Sequence, residues 1–571
     1  MAEQRDARIA LRPVAVHPVT TCDDDVPGSL RAVIAGAGEG DIVDMTALVC
    51  STITLTAAAI PVAQDDLTIV GPGRDLLTID AGGTSRIFEL NGKYESENPN
   101  QGIYVTGLTI TNGYGMNVGG CITGEPNIAL ANVTLSNCRV KATGTTQAGG
   151  GAVNSWGNVF IVNSTLSGNL AQAEDGEAKG GAIYAVKYAE VLDSVLVGNK
   201  VESQNGIASG GAISAERARF SGGGLAINQA GSYTNIARGG AIFVSGSESM
   251  RPLGGPTSGS AVVEYATLLQ NRAISLADSA YGGALHVGSA TVSPVKMGIA
   301  GLIASNVINN VAYSQCASCS VTGGAASAVG AVTSYYSTIV QNVAGVIAGS
   351  TGSAYGGGLA VMVETPAYSG QLVIFQSTLT GNTATASDGL AVGGATVSSS
   401  GPTTVSFSTI SGNTSTEYGG GMAFNANGDF EVRLENTIVA GNEAPQGPDL
   451  VAPSSTPAAI DGDHNLVLEV ANVSMPADTL YTDPKLASLD DNGGPTLTIA
   501  LLPDSPAIDA GSIMALRPSV LPVLAPLLPT GFFPYFDQRG NPYARVWGEA
   551  SDIGAFELQP NMRIIFEDEF E

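Results

Sequence analysis

Lys187 and Arg217 are the side chains whose spacing best suits contact with an anion. Each stands six residues past the second glycine of a Gly-Gly-Ala-Ile motif, Gly180-Gly181-Ala182-Ile183 and Gly210-Gly211-Ala212-Ile213. Equal offsets in consecutive repeats predict that the two cations stack on neighbouring coils, with Tyr188, Glu190, Glu216 and Arg219 close by in sequence. A lyase acting on a polyuronate needs a base, commonly Lys, Arg, His or Tyr, and a cation that offsets the substrate carboxylate. The same residues also suit simple binding of a glycan, and the ordinary alternative is a solvated face laced with local ion pairs.

Other chemistry-bearing residues are sparser. Glycoside hydrolysis needs two carboxylates facing one sugar, and adjacent acids occur at Asp65-Asp66, Glu174-Asp175 and Asp490-Asp491, with runs at Asp23 to Asp25 and Glu567 to Glu569. All fall in expected loops or ends, where capping and solvation are the usual roles. His286 follows Gly283-Ala284-Leu285 in a strand and reads as a hydrogen-bonded structural histidine. His464, in Asp461-Gly462-Asp463-His464-Asn465, has too few oxygen ligands at EF-hand spacing. No cofactor or defined metal site is expected, with loosely held Ca²⁺ left open for so acidic a chain. Cys316-x-x-Cys319 lacks the second pair of a zinc site, so a small disulfide is expected there. Cys22 with Cys50 and Cys121 with Cys138 are further candidate bridges, although spacing alone does not fix connectivity.

A repeat must position these residues. Glycine pairs recur at Gly150, Gly180, Gly210 and Gly239, in steps of 30, 30 and 29 residues, and again at Gly282 and Gly393. Between them runs a second landmark, as in Asn163-Ser164-Thr165-Leu166-Ser167-Gly168-Asn169 and Gln376-Ser377-Thr378-Leu379-Thr380-Gly381-Asn382. Ten residues separate the asparagine from the next glycine pair after Asn169, Asn199, Asn228, Asn271 and Asn382, but thirteen follow Asn309. Such a period means a solenoid whose units bury their apolar faces only against each other. Short β-branched runs punctuated by Gly and Asn predict a parallel β-helix, with inward Leu, Ile and Val stacked between coils. The asparagines then form a hydrogen-bonded ladder, and the glycine pairs allow close backbone approach. The segment Gly28-Ser29-Leu30-Arg31-Ala32-Val33-Ile34 predicts a short helix, N-capped by Ser29, that covers the open first coil.

Composition removes several classes of function. The chain has 571 residues, 24 Lys+Arg against 51 Asp+Glu, and a formal charge of −27. That balance argues against nucleic acid as a partner. A hydrophobic share of 44% with 13% charged residues argues against disorder. The 74 glycines lack a three-residue period, which removes collagen. No run of eighteen apolar residues suits a membrane-spanning helix. From Gly298 to Val432 there is no Lys or Arg, so a lyase site is not expected in that half of the rod. Six cysteines and the absence of an apolar leader in this sequence are read together as a secreted protein whose leader has been removed.

Two stretches resemble a known family. Cys22-Asp23-Asp24-Asp25, Pro27-Gly28-Ser29-Leu30-Arg31, Gly40-Asp41 and Gly71-Pro72-Gly73 resemble the opening of bacterial right-handed parallel β-helix surface proteins. The later motifs Asp491-Asn492-Gly493-Gly494-Pro495-Thr496, Leu501 to Gly511, Asp537-Gln538-Arg539-Gly540 and Asp552-Ile553-Gly554-Ala555-Phe556-Glu557 are similar to the choice-of-anchor Q domain that closes many of them. The organisation expected is all-β: an N-terminal extension and helical cap (1–44), a right-handed parallel β-helix (45–450), a choice-of-anchor Q-like C-terminal capping region (451–560) and an acidic tail (561–571). An apolar, proline-rich insertion occupies 513–536. The resemblance implies a secreted or outer-surface bacterial protein. The expected role is structural or adhesive, contacting glycans, a cell-surface component or other copies of itself. A polysaccharide lyase or glycoside hydrolase acting on an acidic polysaccharide is the alternative.

Overall fold

The computed structural model describes residues 14–92, 102–246, 259–288, 296–347, 351–362, 370–399, 401–424, 431–453, 457–512 and 535–559. The proline-rich insertion, apart from Tyr535 and Phe536, and the acidic tail lie outside the described residues.

Alternation of apolar and polar residues in runs of three to five makes each coil a set of short strands. Val153–Ser155, Asn158–Val162, Thr165–Ser167, Leu170–Ala173 and Ala178–Lys179 form one coil. Every one of these strands pairs in parallel with its counterpart in the next repeat, where the first three have merged into the long strand Ile183–Val197. The result is a parallel β-helix, as the repeat predicts. Its core is built of columns: Leu135, Leu166, Leu196, Leu225 and Leu268 lie in register and are fully buried. A second column, Ala171, Val201, Ala230, Ala273 and Ala312, uses small residues at one wall of the coil.

The two landmarks become two corners. Asn169, Asn199, Asn228, Asn271, Asn310, Asn342, Asn382, Asn413 and Asn442 form a ladder in which each Nδ2 donates to the next Oδ1, up to Asn442, which donates to Asp449 Oδ1. In the coil with the longer loop, Asn310 rather than Asn309 takes the ladder position; Asn309 adopts φ 54 beside it. At the glycine corner a Cβ on Gly211 or Gly283 would lie 2.0 Å from a carbonyl oxygen of the next coil, so only glycine fits.

The N-terminal end is closed as expected. Helix Leu30–Gly36 is capped by Ser29, whose side chain accepts from Ala32 N at 3.2 Å, and Leu30 and Ile34 are buried against the first coil. Asp24 fastens this cap by accepting from Arg31 and from the backbone of Thr56 and Ala57, and the Cys22–Cys50 disulfide fastens it again. The strand Val16–Pro18 already pairs with Ile42–Asp44, so solenoid pairing begins inside the segment assigned above to the cap. At the far end parallel pairing continues to Val473–Ser474, so the last coils lie inside the segment assigned to the C-terminal region.

Beyond those coils the chain folds back along the outside of the rod. Asn306 donates to Pro495 O, Thr338 to Leu497 O, Thr378 to Gln538 Oε1, and Thr409 accepts from Ala555 N. This C-terminal lobe covers an outward apolar cluster, Val262, Ile303, Tyr335, Tyr336, Val373, Phe375 and Phe407, that would otherwise face water. Its charged residues Asp537, Arg539, Asp552 and Glu557 are buried. Asp537 and Arg539 form a fully buried ion pair, with the guanidinium 4.0 Å from the Tyr543 ring centroid and 3.9 Å from that of Phe556. Glu557 accepts from Trp547 N at 2.6 Å and Asp552 N at 2.8 Å. These residues hold the lobe together and dock it.

Candidate functional site

The face that the lobe covers in later coils is open in earlier ones, and there the cluster around Lys187 stands. Strands Asn158–Val162, Ile183–Val197 and Ile213–Ala226 place Phe160, Glu190 and Arg219 in one outward column. Asn158, Tyr188 and Arg217 form the neighbouring column.

Lys187 and Arg217 do not stack. The register between the two long strands slips between Ala185 and Tyr188, so Arg217 lies opposite Tyr188. The physical reason is the 29-residue repeat. Counted back from the ladder asparagines, Arg217 is eleven residues before Asn228 and Tyr188 eleven before Asn199, whereas Lys187 is twelve. The glycine landmark and the asparagine landmark therefore disagree by one residue, and the irregularity absorbs it.

The cluster that results is paired throughout. Arg217 lies 5.3 Å from the Tyr188 ring centroid, in cation–π range. Tyr188 in turn meets Phe160 edge-on, with centroids 6.2 Å apart. Arg219 bridges Glu190 at 3.0 Å and Glu264, and the Glu264 hydrogen bond is the main reason its guanidinium is held even more firmly charged than usual. Lys187 reaches Glu216 at 3.4 Å across an exposed surface, an ion pair of little energetic weight. Burial, reinforced by Glu190, pushes the Tyr188 phenol up to about 12, so it is protonated at neutral pH. What remains is a platform of two rings and bridged charges, with exposed Tyr104 two coils before Phe160 in the same outward column. It can stack on sugar rings and exchange hydrogen bonds. It presents no poised base.

Glu264 was not foreseen, because it follows a longer repeat. The signal was available, since it stands seven residues before Asn271, as its partner in register, Ser221, stands before Asn228.

The remaining candidates are architectural. Cys22–Cys50 and Cys121–Cys138 are disulfides. Cys316 and Cys319, expected to pair, are thiols: Cys319 Sγ lies 3.0 Å from Ser314 Oγ and hydrogen-bonds the Cys316 carbonyl. Burial, with the Cys316 side chain against it, raises that thiol to about 11, the opposite of an activated cysteine. His286 is buried, stacked near Tyr281 and Phe243, and its Nδ1 lies 2.8 Å from Ser327 Oγ. Burial and then Arg238 lower its pKa to about 3, so it is neutral. Around His464, Asp461 pairs with Arg433, and Asn465 is spent on the neighbouring coil, accepting from Thr437 N and donating to Leu434 O. Among the described residues no three His, Cys, Asp or Glu side chains are grouped to hold a metal ion, and no helix is long and apolar enough to cross a membrane.

The chain matches no family model and no curated protein.

Proposed function

We propose that this protein is a non-enzymatic rod, secreted or displayed on a bacterial surface, that contacts glycans through the Phe160–Tyr188–Arg217 platform. The observation that carries this reading is the mutual neutralisation of the outer-face cluster. Glu190 and Glu264 are bound to Arg219, Glu216 to Lys187, and Arg217 to a ring, while Tyr188 keeps its proton. A lyase or hydrolase uses a base or an acid pair set apart for substrate, and here those groups serve one another. Aromatic faces beside fixed hydrogen-bonding groups are how a rigid surface holds sugars without transforming them. Two disulfides support an oxidising compartment. The motifs similar to a choice-of-anchor Q domain support surface display.

The test is mass spectrometry of soluble products after the pure protein is incubated with acidic and neutral polysaccharides, with and without Ca²⁺. Intact polymers, together with glycan binding lost in Tyr188→Ala, are expected. New oligosaccharides, above all unsaturated uronates, sink the non-enzymatic reading.

A further inference from the structure

A second face of the rod carries a different pattern. Most described Lys and Arg side chains are tied to a carboxylate, as Arg31, Lys179, Lys187, Arg219, Arg238, Arg433 and Lys485 are. Arg74 and Arg86 donate to backbone carbonyls, and Arg217 lies on a ring. Arg139, Lys141 and Arg272 are exposed and have none of these partners among the described residues. All three stand on one sheet, the ten-stranded ladder just past the asparagine corner; Lys296, the other described cation without such a partner, stands elsewhere.

The register of that sheet sets their order. Arg139 is followed by Leu170, Lys200, Gln229 and Arg272 in a single outward column, with Lys141 beside Arg139 on the same strand. A cation therefore appears on every second strand, spaced about 10 Å apart along the rod axis. Lys200 is the one with a partner, Glu202 of its own strand. Acids outnumber bases two to one in this chain, 51 against 24, yet none is placed against Arg139, Lys141 or Arg272 among the described residues. The stripe is one residue wide except at its first strand, where Lys141 flanks Arg139, and Tyr114 precedes Arg139 in the column.

We infer that this stripe binds a linear acidic polysaccharide laid along the rod axis, across the strands. A pyranose ring is about as long as the step between strands, so a chain bearing a carboxylate on each sugar or on alternate sugars meets the cations in register. Their low density and the surrounding negative charge favour such a polymer over the denser phosphates of nucleic acid. The inference rests on the reading of this protein as a glycan-contacting rod, and it names a site and a ligand class distinct from the Tyr188 platform.

Binding of polygalacturonate, hyaluronate, neutral dextran and duplex DNA to the full chain by biolayer interferometry tests it. The variants are the triple substitution Arg139→Gln, Lys141→Gln, Arg272→Gln and, as a control at cations off both this sheet and the Tyr188 platform, Lys296→Gln with Lys485→Gln. Expected is salt-sensitive binding to a polyuronate that falls about tenfold in the triple variant, three exposed charge contacts together, and holds in the control. No polyuronate binding, equal binding by the triple variant, or preference for DNA overturns the inference. None of these outcomes touches the rod reading, which fails instead on the appearance of cleaved products.

Discussion

Replacing Asn271 by alanine probes what holds the coils in register. Asn271 Oδ1 accepts from Asn228 N at 3.0 Å and Asn228 Nδ2 at 2.9 Å. Its Nδ2 donates to Leu225 O at 2.8 Å and Asn310 Oδ1 at 2.9 Å. Alanine removes all four bonds in a fully buried place. Asn228 keeps its bond to Leu196 O but loses an acceptor for its backbone N–H and for one amide hydrogen. Each buried donor left without a partner costs about 1–3 kcal/mol, so Asn271→Ala destabilises the central coils by roughly 2–6 kcal/mol before any cavity is counted. Asn271→Asp behaves differently: it keeps the acceptor but turns an oxygen toward the Leu225 and Asn310 oxygens, so its loss is greatest at neutral pH and recovers partly in acid. Asp449 tolerates that place because it ends the ladder, where both carboxylate oxygens meet N–H donors. A solenoid need not unfold in two states, so the measurement is amide hydrogen exchange at Asn228 beside urea denaturation. Unchanged protection at Asn228, with stability within about 0.5 kcal/mol of the parent, refutes the role given to the ladder.

Gly283→Ala places a Cβ 2.0 Å from Gly324 O and is expected to cost at least about 2 kcal/mol in urea denaturation. Gly36→Ala, at the end of the capping helix with nothing within 4 Å, is expected to be neutral or slightly stabilising; equal losses in both contradict the close-approach argument. In the C-terminal lobe, burial raises Glu557 to about 8 although Arg545 and two backbone N–H groups favour its anion, and burial raises Asp552 as well. A folded-state pKa above the unfolded one means the folded lobe binds the extra proton between the two values. The lobe therefore loses stability as pH rises from about 4.5 to about 8, by at most about 1.4 kcal/mol per unit. Protection factors at the Leu558 and Trp547 amides, corrected for the intrinsic pH dependence of exchange, that stay flat or rise across that range contradict this. Cys319 is expected to react with iodoacetamide far more slowly than an exposed thiol at neutral pH, and alkylation as fast as free cysteine removes the buried-thiol account.

What the sequence made legible was the part of the molecule that repeats. Glycine pairs and asparagines recur because each has one steric or hydrogen-bonding job at a corner, and a job repeated in every coil leaves a period. The capping helix was legible for a local reason, since Ser29 and the apolar pair Leu30 and Ile34 state both its start and its buried side. The candidate site was legible in composition but not in contact. Lys187, Tyr188, Glu190, Arg217 and Arg219 do share one face, but which touches which depended on where a single missing residue was absorbed. Side chains alternate across a strand, so a slip of one position exchanges neighbours along the whole column.

The lobe shows the limit from the other direction. Gln538 meets Thr338 and Thr378, some 200 and 160 positions earlier, through hydrogen bonds that no periodicity announces. Phe375 and Phe407 sit at positions where the open half of the rod carries exposed or polar groups. An outward aromatic in a β-helix is either a binding surface or an internal contact, and the two are alike in sequence. They separate only when the covering element is seen: Arg545 of that lobe is buried over the Phe407 ring, 4.8 Å from its centroid, while Tyr188 has Arg217 on it and solvent beyond. One face thus carries an intramolecular dock in its later coils and a solvent-facing aromatic and charged cluster in its earlier ones. The boundary falls where Pro495 meets Asn306, two coils past Arg219.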